Sequence, residues 1–563
     1  MTKKKVYFSL LYLIISTLIV LRNHSLYPSV MGDEFMHSLF SRNARIDEIS
    51  IPSYLYYFIY KSTNYCGENF LNCARIINYL FYSLGSYFIY LICLKTQKKN
   101  YSIYIFFITL ILPYNAYTAY FIPESMFFCF FWLYIYTVFS SNYSNKKIIL
   151  IGLILGILSL IKPHAIFLLP SIIAFLFLIK KKNVQFIIDI FIIIIFFFSI
   201  KIFLYIFYNF SFEILGKFYN NSAINYIDIE FKEVHIVVKK TLINLFGTWS
   251  FLLITFSVPL LDCFKKTITF FDKKPNNKYL QINLLSFLTI VTITTIYSIF
   301  AGFDIQDPLR INFRYSFFII PLLFLVLIDK SNSFNNRSNN KTNKIFTLLY
   351  FIIIISFCLN VYPSFHLVDN PLYRAIIYNQ IFLIVVIFTS SVLVILANFN
   401  YRLSLNLYLY FFLPLIVIIS TIPITKELLY YKKPSITENL SLKIKESIKN
   451  KKNEQILITN YKYNNKNSID VFKMLFTLDN KNISLITLNH DKNKNFIINE
   501  QFFVNAGNNN NKIWSSIASK KSALNLKEYD YHILILNNHL IKQVYTFNSK
   551  TKKIKNIFNQ SFL

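Results

Sequence analysis

The sequence predicts a polytopic α-helical membrane protein of about 13 spans, followed by a small polar α/β domain. Three observations point there. Hydrophobic residues make up 55% of the 563 positions and charged residues only 15%, against about 25% charged in an ordinary soluble domain. Mean hydropathy is +0.45, and runs such as 187-IIDIFIIIIFFFSIKIFLYIF-207 are long enough to cross a bilayer. The basic residues sit in short clusters between these runs. The net charge of +31 is therefore read as a set of topology signals rather than a nucleic-acid surface.

Taken in order, the apolar runs fall near 6–22, 76–94, 101–119, 124–140, 147–161, 164–179, 184–207, 241–263, 280–301, 315–329, 345–362, 375–397 and 407–425. The first opens with Lys3, Lys4 and Lys5 like a signal peptide, but no small-residue cleavage site follows, so it is kept as an uncleaved span. Basic clusters follow every second run: Lys95 to Lys99, Lys146 and Lys147, Lys180 to Lys182, and the lysines of 265–278 and 330–344. The positive-inside rule sets these on one side with the N-terminus. The alternate loops then face outward, notably 23–75, 208–240 and 302–314, with tight turns near 120–124 and 162–164 and a further loop at 363–374. An odd number of spans also sends the tail outside.

The membrane part is expected to occupy 1–432 and an extracytoplasmic α/β domain 433–563. In the tail, 455-QILIT-459, 483-ISLITL-488 and 531-YHILIL-536 read as buried strands. Segments 438–449, 466–478 and 513–527 read as helices between or before them. Cys93, Cys129, Cys263 and Cys358 lie in or beside apolar runs and read as packing residues. Cys66 and Cys73 share one polar loop, where a disulfide can form if that loop meets an oxidising compartment. The six cysteines show no zinc pattern.

The first outward loop carries the chemistry most worth weighing. In 27-YPSVMGDEFMHSLFSRNARI-46, Asp33 and Glu34 are adjacent just beyond the first span, and helical spacing sets Asp33 and His37 one turn apart on one face. Such a carboxylate can act as a general base, or it can simply cap the helix that follows. Glu124 stands at the outward end of a span among apolar residues, where an ionisable group is expensive and a functional candidate by default. Following Pro123, it also suits a helix N-terminus.

At this point the chain resembles a family, the GT-C superfamily of polyprenyl-phosphate-sugar-dependent glycosyltransferases. The branch it is most similar to holds the protein O-mannosyltransferases and lipid A aminoarabinose transferases. The acidic pair comes first, then 73-CARIINYLFYSLGSYFIYLI-92 led by Arg75, then 113-PYNAYTAYFIPESMFFCFFWLYIY-136, then 152-GLILGILSLIKPHAIFLLPSIIAFLF-177. Each element is weakly specific alone; their order and spacing together are moderately specific. Where family members often carry two prolines before an aromatic pair, this chain reads 51-IPSYLYYFIY-60, keeping the aromatics and one proline.

The resemblance implies an inverting glycosyltransferase that moves a sugar from a polyprenyl-phosphate or dolichyl-phosphate carrier to a lipid, glycan or protein acceptor on the outer face. Asp33 is the expected base, Glu34 an orienting group and Glu124 a second carboxylate. A departing lipid phosphate calls for fixed cations near the membrane surface. Arg314, Lys162 and Arg310 lie on the correct side, with His37, His164 and Tyr315 as accessory candidates. As alternatives, Lys162 can be a snorkelling helix-end lysine and Arg310 a surface loop charge. No cofactor is expected, no metal-ligand cluster is seen, and Asp33 with His37 or Glu124 leaves a divalent metal open. A bacterial inner membrane fits the orientation better than the endoplasmic reticulum.

Two other classes compete. A secondary transporter or lipid flippase would place charges at mid-membrane and use paired broken helices. Here only Asp189 and Lys201 lie inside a run, 12 residues and roughly 18 Å apart along a helix. An O-antigen ligase or polymerase would call for an Arg-rich long outward loop, which is not evident.

Overall fold

A computed structural model gives the fold. It describes residues 3–28, 31–44, 51–96, 99–139, 144–180, 184–208, 231–270, 317–327, 340–362, 371–377 and 379–435, with 49, 310–311, 314 and 367–368. Beyond 435 it describes parts of 438–446, then 456–461, 473–478, 482–490, 496–505, 531–535, 543–548 and 553–559. The expected span at 280–301, most of the expected outward loops 208–240 and 302–314, and the expected helix 513–527 lie outside the described residues.

The chain opens with α1 (Lys3–Asn23). Its apolar side chains Tyr7, Leu13 and Leu18 are more than half exposed, which suits lipid contact and would be a liability in water. The short helices α2 (Met31–Arg42) and α3 (Tyr54–Tyr60) follow. A disulfide joins Cys66 to Cys73, closing the turn into α4 (Phe70–Thr96). That turn holds Gly67 at φ +54°, a conformation that costs glycine little.

Next come α5 (Lys99–Ile111), α6 (Glu124–Val138), α7 (Asn145–Ser159), α8 (Leu169–Lys180) and α9 (Val184–Tyr208). Between α5 and α6 the run bends by 51° at Pro113, because proline cannot continue the hydrogen-bond ladder. A tight 3-10 segment, Pro113–Ala119, then leads into an extended stretch. Glycines let two helices meet closely: a Cβ on Gly152 of α7 would stand 2.9 Å from the Ile193 carbonyl oxygen of α9.

Among the described residues, six helices are long and apolar enough to cross a membrane, or up to eight if each of two bent pairs is one span. The sequence suggested about 13. The runs at 124–140, 147–161 and 164–179 form shorter helices, and that at 241–263 breaks by 103° between Thr255 and Ser257. Apolar composition marks where a chain can enter a bilayer but not where prolines and 3-10 turns interrupt it.

In the tail, strands β1 (Ile456–Tyr461), β2 (Asn482–His490), β3 (Phe496–Asn505) and β4 (Tyr531–Ile535) form one sheet in the order β3-β2-β1-β4. β1 pairs parallel with β2 and β4, and β2 pairs antiparallel with β3. Two further strands, Gln543–Asn548 and Lys553–Asn559, pair with each other. β3 was not foreseen, because Asn499 and Glu500 interrupt its apolar pattern. The segment 473–478 is helical, and its Met474, Leu475, Phe476 and Leu478 are buried with the main apolar core. The Phe476 ring stacks on Phe70 at the start of α4 with centroids 5.7 Å apart.

Candidate active site

The site forms where four distant segments end together. Glu124 is the first residue of α6, directly after Pro123, so its carboxylate faces the positive end of a helix. The stretch leading to it is fixed from two sides. Arg75 of α4 donates from Nε to the Ala119 carbonyl (2.9 Å), and Asn78 donates to the Tyr120 carbonyl (2.7 Å). From α2, the Glu34 carboxylate accepts the Phe121 N–H at 2.9 Å. These bonds set the entry of α6, and with it Glu124.

Lys162 lies between α7 and α8 with an extended backbone, as expected of a residue that precedes proline. The Leu55 N–H donates to the Leu160 carbonyl (3.0 Å), tying α3 to this bend. Arg314 precedes the turn Phe317–Ile319. The Trp132 indole N–H donates to the Phe318 carbonyl (3.1 Å), and the Phe318 ring meets Phe127 and Phe131 edge to face, with centroids 4.8 and 4.6 Å apart. Thus α6 presents Glu124 and also holds the segment that carries Arg314.

These supports bring two acids and two bases together. Lys162 Nζ bonds Glu124 Oε1 at 2.8 Å, Arg314 Nε bonds the same oxygen, and Arg314 Nη1 bonds Asp33 Oδ2. The four formal charges cancel. Exposure separates them sharply: the Glu124 side chain is 0% exposed, Lys162 7%, Arg314 9% and Asp33 51%. Glu124 is therefore the buried anchor that positions both cations, and Asp33 is the member that meets water.

Burial pushes the Asp33 carboxyl up, but the Arg314 guanidinium, through its charge and hydrogen bond, outweighs that and holds the carboxyl below the usual carboxylate range. One turn along α2, His37 is buried, with Nδ1 3.0 Å from the Tyr57 hydroxyl. Burial pushes its pKa down to about 4, despite the pull of Asp33 and Glu124, so it is neutral at ordinary pH.

The remaining sequence candidates fall differently. Glu34, expected to orient the site, is fully buried and accepts the Phe121 N–H at the entry of α6. His164 is buried two residues after Lys162, its ring 5.9 Å from that of Phe127. Arg310 lies in a two-residue strand, Arg310–Ile311, paired in parallel with Leu367–Val368, and Tyr315 lies outside the described residues. Sequence reasoning did not assign Arg75, Asn78 or Tyr60 to the site, although Tyr60 donates its hydroxyl to Asn78 Oδ1 and Asn78 reaches the α6 entry. Arg75 carried a signal, since an arginine inside an apolar helix needs a buried acceptor. Among the described residues, no three His, Cys, Asp or Glu side chains group as metal ligands; between Asp33 and Glu124 the cation is the guanidinium.

No family model and no curated protein matches the chain. Solved structures of two proteins resemble it. One is ArnT from Cupriavidus metallidurans bound to undecaprenyl phosphate, at 11% identity and a TM-score of 0.46, with 85% of each chain covered. The other is the archaeal oligosaccharyltransferase AglB from Archaeoglobus fulgidus in complex with an inhibitory peptide and a dolichol-phosphate, at 11% identity and a TM-score of 0.40, covering 86% of this chain and 70% of that one. Likenesses at this level carry no argument about activity, which is therefore drawn from the site.

Proposed function

We propose that this chain is an integral-membrane glycosyltransferase that takes a sugar from a polyprenyl-phosphate carrier and transfers it, with inversion, to an acceptor hydroxyl on the outer face. The observation that carries the reading is the pairing of two nearly buried cations, Arg314 and Lys162, with one half-exposed carboxylate, Asp33, at the ends of apolar helices. A lipid phosphate would meet the protein at the ends of such helices, and a guanidinium and an ammonium are the groups that stabilise the charge it gathers on leaving.

In this reaction the acceptor O–H gives its proton to the Asp33 carboxylate. The acceptor oxygen attacks the anomeric carbon from the face opposite the phosphate, and a new C–O bond forms. The sugar–phosphate C–O bond breaks with its electron pair passing to the phosphate, which leaves as polyprenyl phosphate beside Arg314 and Lys162. Glu124, buried and bonded to both cations, holds them in place and touches no substrate. The basic clusters support the outward orientation, as does the Cys66–Cys73 disulfide in the same loop. Residues 433–563 would then form an outward domain that shapes acceptor access.

Purified protein in lipid nanodiscs, offered a panel of labelled polyprenyl-phosphate sugars, tests the reading. Transfer or release of label from at least one donor, lost in Arg314→Ala, is the expected outcome. Absence of binding to every polyprenyl-phosphate compound would end it.

A further inference from the structure

The four site charges cancel, and this raises a difficulty for any anion that arrives. Arg314 is engaged on both sides, by buried Glu124 through Nε and by exposed Asp33 through Nη1. Glu124 cannot yield, because it is 0% exposed and also bonded to Lys162 at 2.8 Å. Asp33 can, because half its surface is free to water.

From this geometry we infer that the donor phosphate binds by exchange, displacing the Asp33 carboxylate from Arg314 and thereby freeing Asp33 to serve as the base. Resting on the glycosyltransferase reading, this adds an order of events to it. While paired with Arg314, Asp33 is a poor proton acceptor, since the guanidinium favours its ionised form. Once Arg314 turns to phosphate, that stabilisation goes. Proton affinity therefore rises only when a donor is seated. When the lipid phosphate departs, Arg314 closes on Asp33 again. The acceptor is activated in the presence of donor and not otherwise, which limits idle deprotonation at an outward-facing site.

A consequence sets this apart from a site in which Asp33 and the phosphate occupy independent places. Removing the Asp33 charge should tighten binding of the phosphate, because it removes an internal competitor. The probe is undecaprenyl monophosphate in nanodiscs, with inorganic phosphate as a second arm. Asp33→Asn is expected to bind the lipid phosphate about 10-fold tighter or more than the unmodified protein, the scale of one charged hydrogen bond. That gain should vanish when Arg314→Ala is present in both members of the pair, because the competition is for that guanidinium. Asp33→Ser, smaller and also uncharged, should reproduce the gain and serves if the amide disturbs α2. A gain with the lipid but not with inorganic phosphate assigns the exchange to a headgroup held by its chain; a gain with both assigns it to the phosphate alone. Equal or weaker binding in folded Asp33→Asn and Asp33→Ser overturns the exchange while leaving the donor reading standing. Failure of the unmodified protein and every variant to bind the lipid phosphate overturns both.

Discussion

At the scale of single residues, the central contrast is between two carboxylates that look alike in sequence. Both Asp33 and Glu124 were legible as acids beside apolar runs, but their meeting on one guanidinium was not, since they lie 281 and 190 positions from Arg314. No local pattern encodes such a distance. Their division of labour depends on burial, which a sequence also does not show. Glu124→Gln would leave Lys162 and Arg314 without their buried counter-charge, and breaking a buried pair typically costs about 3 to 5 kcal/mol. A clear fall in melting temperature in detergent, together with weaker donor binding, is expected; unchanged melting would mean that Glu124 does not anchor the cations. Arg314→Ala should weaken donor binding roughly 10- to 150-fold, and Arg314→Lys should restore it only in part, since lysine lacks the planar fork. His37 supplies a pH prediction. Its folded pKa of about 4 lies below the unfolded value of about 6.5, so from about pH 6.5 down to 4 the unfolded state binds the extra proton. Stability should fall with pH across that window, by about 1.4 kcal/mol per unit at most, and level off below it. His37→Asn should flatten that slope in melting measured between pH 7 and 4.5.

At the scale of elements, the apolar runs foretold where helices lie but not how they break. Pro113 and Phe256 mark bends of 51° and 103°, and the first of these turns the chain into the extended stretch that aims Glu124. The α3 aromatics survive from the pattern read in the sequence, and their work is packing: the rings of Tyr56 and Tyr60 stack 4.0 Å apart, and Tyr60 meets Phe121 edge to face. Close helix contact gives a test. Gly152→Ala would set a methyl group 2.9 Å from a backbone oxygen of α9, a clash that only a shift of the helix relieves, and overpacking of this kind costs about 1 to 3 kcal/mol. A lowered melting temperature with the site chemistry intact is expected, whereas a neutral effect would mean that α7 and α9 do not meet as closely. Replacing both Cys66 and Cys73 by serine frees a short loop, with an expected loss of about 2 to 3 kcal/mol, and reductant should have no further effect on that variant.

At the scale of the whole molecule, charge placement made the membrane class legible, and the exposed apolar belt of α1 and α9 agrees with it: Tyr7 is 69% exposed and Ile206 62%. What composition could not show is that the tail reaches the membrane part. Phe476 stacks on Phe70, which in turn meets Phe121 edge to face, two residues before Pro123. A reporter fused after Leu563 should read as extracytoplasmic; a cytoplasmic reading would move every site residue to the other side. The proposed sugar transfer from a polyprenyl-phosphate donor depends on Asp33 as the proton acceptor. Its most direct test is the turnover of Asp33→Asn protein in nanodiscs under saturating donor, with folding checked by melting and donor occupancy by direct binding. Loss of about 10²- to 10⁴-fold in turnover with the donor still bound is the predicted result, and near-normal turnover would contradict it.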